Sequence, residues 1–215
     1  MRPTRLLTAL LVMTSIAYGQ KRWDSPKVVT VYCSGCHGVD GNAQLPYFPR
    51  LAGMQVAYSE KKLGAFKEPV SPQVDELFAW VSGEKRNVTR DERINMEGVA
   101  HAANPEVIKE ALVWYSQQQP ARGHSSDKKL VAEGEEIFRK GMPAQKVLPC
   151  MSCHGDNAEG KGLAPRLAGQ NAEYIESQLV KFRKGDRSHA PEMTMVTRDL
   201  DATQAHAAAA YLQSR

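Results

Sequence analysis

The chain has 215 residues, with 28 basic and 24 acidic side chains, a formal net charge of +4 and 42% hydrophobic residues. That charge is too evenly balanced for a basic nucleic-acid-binding surface, and the length suits two small domains better than one. All four cysteines fall in two short motifs, so none remains for a disulfide or a separate thiolate nucleophile.

Residues 1–19 have the pattern of a secretory signal. Arg2 and Arg5 form a charged start, Leu6 to Ala17 an apolar run, and Ala17-Tyr18-Gly19 a small-residue cleavage site ahead of Gln20. An uncleaved anchor is the second reading, although the apolar run is short for a bilayer. No later stretch is apolar enough to span a membrane. A soluble, periplasmic mature chain is expected, with at most peripheral membrane association.

Cys33-Ser34-Gly35-Cys36-His37 follows. C-x-x-C-H is the pattern of covalent c-type heme: two thiols add to the vinyl groups, and the histidine gives iron an axial nitrogen. A thioredoxin-like pair or half a zinc site are the competing readings. Neither accounts for a histidine directly after both pairs.

Further along, Ser71-Pro72 with Val74, Leu77, Phe78, Val81 and then Gly83 reads as a short added helix containing Trp80. Asn104 and Pro105 open a helix whose periodic residues are Val107, Ile108, Ala111, Leu112 and Tyr115. The polar segment around 117–126 holds Pro and Gly and reads as a joint. The expected organisation is one domain over 20–119, a linker at 120–126 and a second domain over 127–215. Ser126 is the expected cap of a helix marked by Leu130, Val131, Gly134, Ile137 and Phe138. A second C-x-x-C-H, Cys150-Met151-Ser152-Cys153-His154, starts 117 residues after the first. Asp201 with Gln204 suggests a capping box opening the last helix, through Leu212. No stretch alternates like a strand, so the expected class is all-α. Each domain is short, and a buried porphyrin would supply core that side chains alone would not.

The repeat runs beyond the cysteines. Pro49-Arg50-Leu51-Ala52-Gly53 matches Pro165-Arg166-Leu167-Ala168-Gly169, and Tyr58, Leu63 and Phe66 match Tyr174, Leu179 and Phe182. A helix is expected after each PRLAG loop.

A sixth iron ligand must come from far enough along to reach the other heme face. In the first half Met96, 59 residues past His37, is preferred over Met54, 17 residues past it, and over His101. In the second half Met193 and Met195 both qualify, and only one can bind. His189, His124 and His206 are weaker candidates, and Met142 and Met151 lie too near the motif.

These features resemble the cytochrome c4 family: CHGVDGN after the first motif, PRLAG in both halves and M-x-M before the last helix. The resemblance implies two tandem class I cytochrome c-like heme domains and two covalently bound hemes c at Cys33, Cys36, Cys150 and Cys153. It implies His37/Met96 and His154/Met195 as axial pairs, the later methionine being taken in the second half. It further implies that the Pro49 and Pro165 carbonyls accept hydrogen bonds from the histidine rings. Arg50, Arg166, Tyr58 and Tyr174 become candidate propionate partners. One departure is visible, since Phe66 to Met96 spans 17 more residues than Phe182 to Met195.

The expected function is a periplasmic electron carrier and not an enzyme. By the resemblance, it links a respiratory complex or dehydrogenase to a terminal oxidase. A rival is the diheme subunit of a dehydrogenase such as a flavocytochrome sulfide dehydrogenase. Diheme thiosulfate dehydrogenase activity is disfavoured because no cysteine is left as an axial ligand. Peroxidase activity is disfavoured because it needs a longer chain and an open iron.

Overall fold

The structure is a computed structural model that describes residues 25–67, 96, 98–101, 103–187 and 189–215. The signal-like segment, the added helix with Trp80 and most of the extra residues before Met96 lie outside the described residues.

A π-helical turn, Val29–Cys33, leads into the four-residue helix α1 (Ser34–His37). Then come α2 (Val56–Ala65), α3 (Pro105–Ser116) and α4 (Lys128–Lys140). The second motif sits on α5 (Met151–His154), followed by α6 (Ala172–Lys184), α7 (Pro191–Thr197) and α8 (Ala202–Gln213). Among the described residues there is no strand, only two isolated bridges, Met142 with Val147 and Lys161 with Ala164.

Helix starts follow local chemistry. The Asn104 side chain accepts a hydrogen bond from the Glu106 N–H at 2.8 Å, and Pro105 takes the first helical position. Asp201 and Gln204 form the expected reciprocal capping box. One start is corrected: Asp127, not Ser126, caps α4, accepting from the Leu130 N–H at 2.9 Å. A carboxylate there also faces the positive end of the helix dipole.

In the second half, α8 packs along α4 and against α6, and α7 packs on α6. The α4–α8 crossing is close because α8 is rich in buried alanines and α4 presents Gly134 to them. A Cβ at 134 would overlap the Ala207 carbonyl oxygen. Overpacking against a backbone atom costs up to about 3 kcal/mol, and alanine regains about 1 kcal/mol of helix propensity. Gly134→Ala should therefore lose about 2 kcal/mol, a fall of roughly 4–8 °C in Tm at this chain length. Thermal unfolding followed by circular dichroism checks this, and an unchanged Tm would count against the crossing.

The first half has a smaller core of Val28, Val29, Ala111 and Tyr115, packed against Cys33, Leu51 and Trp114. The two aromatics of α3 clamp the loop after the first motif. Trp114 Nε1 donates to Val39 O at 2.8 Å, and Tyr115 Oη donates to Gly38 O at 3.0 Å.

The two halves repeat the same loop geometry. Gly41 O accepts from the Leu51 and Ala52 N–H groups, as Ala158 O does from those of Leu167 and Ala168. The Gly53 N–H reaches Tyr115 O at 2.9 Å, and the Gly169 N–H reaches Leu212 O at 2.9 Å. Position 41 has φ +75° and its alanine counterpart 158 has φ +56°. The first half requires glycine there, because a Cβ would lie 2.6 Å from Ala52 N and 2.8 Å from the Tyr115 ring.

Segment 120–126, the expected linker, is strapped down. Asn42 donates to Gln119 O and accepts from the Ala121 N–H. Farther on, the Gly123 N–H donates to Gln213 O, and the Gln213 side chain donates to His124 O.

Candidate heme sites and the seam between them

Each C-x-x-C-H motif occupies a short helix that ends on its histidine. The chain then turns away at Gly38 (φ +77°) and Gly155 (φ +84°), angles that favour glycine. His37 is 7% exposed and His154 5%. His37 Nδ1 lies 2.9 Å from Pro49 O, and His154 Nδ1 lies 2.9 Å from Pro165 O. A carbonyl oxygen can only accept, so each Nδ1 carries the proton and each Nε2 keeps its lone pair. Burial lowers both histidine pKa values, holding the rings neutral, and the hydrogen bond to the proline carbonyl opposes this in part. A neutral ring with a free Nε2, fixed through Nδ1, is what an axial metal ligand needs.

The thiols fit covalent attachment better than a reactive thiolate pair. Burial pushes the Cys33 thiol up, with the neighbouring Cys36 adding to the shift, and pushes Cys150 up to about 11. Among the described residues, no three His, Cys, Asp or Glu side chains converge to hold a bare metal ion. A metal at these histidines must bring its own equatorial ligands, as a porphyrin does.

Met96 is helical and half-buried. Met54 is 7% exposed and lines the cavity between the two halves beside Arg50 and Arg166. In α7 the two methionines point apart. Met195 is 68% exposed. Met193 is half-buried and shares its helix face with Thr197, four residues on and 4% exposed. Met193 thus lies on the inward face of α7, and Met195, the expected ligand, on the exposed face. Pro191 occupies the first position of α7, where its fixed φ and missing N–H suit a helix start.

Arg50 and Arg166 lie in a seam between the halves. Gln170, 4% exposed, grips the Arg50 backbone: its Oε1 accepts from the Arg50 N–H at 2.8 Å and its Nε2 donates to Arg50 O at 3.0 Å. Asn171 Nδ2 donates to Leu45 O and Phe48 O. In the reverse direction Gln55 Oε1 accepts from the Arg166 N–H at 3.0 Å, and its Nε2 donates to Glu159 O at 3.0 Å. No sequence signal marks these amides, because each pairs with backbone more than 100 residues away.

Arg50, the expected propionate partner, also reaches across the seam. Its Nη1 donates to Gly169 O at 2.7 Å and lies 3.4 Å from Ala121 O, tying the linker and the second half to the first. The Nε atoms of Arg50 and Arg166 are both buried without a hydrogen-bond partner. Burial lowers both guanidinium pKa values, and Asp40 and Glu159 respectively offset this in part. Tyr58 and Tyr174 are both half-buried.

Two histidines fixed by proline carbonyls, each following a cysteine pair on a repeated helical scaffold, define a c-type cytochrome with two heme sites. The cytochrome c family profile matches residues 131–215. A cytochrome c4 of Stutzerimonas stutzeri is 32% identical, over 92% of this chain and 90% of its own. A solved structure of reduced recombinant cytochrome c4 from Pseudomonas stutzeri superposes with a TM-score of 0.70 at 31% identity, covering 86% of this chain and 94% of that one. A "thiosulfate dehydrogenase electron acceptor" of Stutzerimonas stutzeri is 29% identical, over 83% of this chain and 76% of its own. The chain belongs to the cytochrome c4 family. It is an all-α diheme electron-transfer protein with two covalently bound hemes c, at Cys33/Cys36 and Cys150/Cys153. The heme supplies reversible one-electron chemistry when bound, and the protein sets its potential, burial and access.

Proposed function

We propose that this protein carries electrons through the periplasm from a respiratory complex or dehydrogenase toward a terminal oxidase, one electron per heme and without turning over a substrate of its own. The proposed axial pairs are His37/Met96 and His154/Met193, and the proposed organisation is two heme domains, 20–119 and 127–215, joined through 120–126. The observation that carries this reading is the paired 2.9 Å contact of His37 and His154 with proline carbonyls, which presents the same ligand geometry twice. Supporting it, no described helix is long and apolar enough to cross a membrane, and Gln20 follows a signal-like segment. Partner docking is expected to be transient, over a small patch.

A second reading is the diheme electron-accepting subunit of a dehydrogenase complex, favoured by the relative named for thiosulfate dehydrogenase. A pyridine hemochrome assay should find two hemes per chain, falling to one covalent heme in Cys153→Ala. Stopped-flow oxidation by membranes containing terminal oxidase should then outpace reduction by thiosulfate dehydrogenase. The reverse order would favour the acceptor reading. Carbon monoxide binding to the fully reduced protein would overturn the two closed iron sites.

A further inference from the structure

The turn between α6 and α7 buries a cation that the site described above does not use. Gly185 (φ +80°) ends α6 and folds the chain back, so that Arg187 lies on the helix it has just left. Arg187 is 6% exposed. Its guanidinium carbon lies 4.1 Å from the centroid of the Phe182 ring. Its Nη1 donates to Gln178 Oε1 at 3.0 Å, and its Nη2 stands 3.5 Å from Tyr58 Oη, across the seam in the first half. Its Nε is buried with no hydrogen-bond partner.

A buried guanidinium that touches only neutral groups is costly, because burial strips its hydration and a ring face and an amide return little of it. Among the described residues no carboxylate pairs with it. Burial pushes the neighbouring Asp186 carboxyl up, and Lys184 and Lys181 offset this in part. A planar fork with an unused Nε edge matches a carboxylate. Each heme brings two carboxylates, its propionates.

The first half shows the same arrangement by another route. Phe66 is the repeat of Phe182, and Lys62 Nζ lies 4.5 Å from the centroid of the Phe66 ring. Lys62 sits on α2 itself, at the position that Gln178 occupies in α6. Different residues thus bring a cation to the same aromatic ring in both copies, and only in the second is it an arginine buried at the seam.

We propose that Arg187 is the counter-ion of a heme propionate in the second half, aimed by Gln178 and Phe182. It acts through the propionate and raises that heme's potential by disfavouring the extra positive charge of the oxidised iron. The inference rests on the presence of both hemes, and a hemochrome count of two per chain in every variant keeps its failure separate from a failure of that reading.

The test is spectroelectrochemical titration of holoprotein between pH 5 and 9. Arg187→Gln should shift one of the two one-electron equilibria about tenfold toward the oxidised form, a fall of about 59 mV. That potential should then fall further as pH rises, because an unpaired propionate titrates and its anion favours oxidised iron. Arg187→Lys, which keeps the charge, should recover more than half of the shift. If Arg187→Gln leaves both potentials and their pH slopes unchanged and only lowers Tm, the partner is a group of the chain and the proposal is overturned. An equal shift in the Lys and Gln variants would overturn it as well.

Discussion

Met193→Ala should remove half of the methionine-to-Fe(III) charge-transfer band of the oxidised protein, while Met195→Ala leaves the band intact. Successive residues on an α-helix turn by about 100°, so two residues apart in α7 point to nearly opposite sides. Only one of the two can meet iron. The histidines that face the same cofactor are 7% and 5% exposed, whereas Met195 is 68% exposed. Met193 shares the face of buried Thr197, whose hydroxyl also donates to Met193 O at 2.7 Å. A thioether favours the reduced iron, so the Met193 variant should also lower one potential and leave the other in place. Met96→Ala should remove the other half of the band. Loss in Met195→Ala together with retention in Met193→Ala would reverse the assignment.

Gln170→Leu should cost about 2–4 kcal/mol and separate the unfolding of the two halves. The substitution keeps the side-chain volume near constant and deletes both hydrogen bonds to the Arg50 backbone. Each buried polar group left unpaired costs about 1–3 kcal/mol. Arg50 also binds Gly169 O and Ala121 O through its side chain, so the damage falls on the strap that holds linker and second half to the first. Denaturant unfolding followed by the shared methionine-to-Fe(III) band should show one transition in the parent and two steps of about half amplitude in the variant. Gln170→Glu keeps an acceptor for the Arg50 N–H but loses the donor to Arg50 O, so its loss should be smaller. A single unshifted transition in Gln170→Leu would show that the amide clamp does not join the halves.

The parts of this protein legible in its sequence are those with short-range causes. The attachment motifs, the PRLAG repeat and the caps at Asn104 and Asp201 each depend on residues within a few positions of one another. Even the histidine–proline contact is local, spanning 12 residues in the first half and 11 in the second. The Ser126 cap was missed by one residue because Asp127 offers the same chemistry with a charge suited to the helix dipole.

Two hemes, an all-helical class and a duplicated scaffold can be read from residue order alone, because covalent attachment and helix capping are written in adjacent residues. What stands at the seam depends on packing between distant segments. The pairings of Gln55 and Gln170 span 104 to 120 residues, and those of Asn171 span as many as 126. No local pattern encodes them, since an amide binds any backbone brought within reach. The same holds for the unequal exposure of Met193 and Met195, which follows from the phase of one short helix, and for Arg187, whose burial follows from a glycine turn and a neighbouring half. The repeat announces two heme sites, and the packing between them sets which side chains meet across the seam.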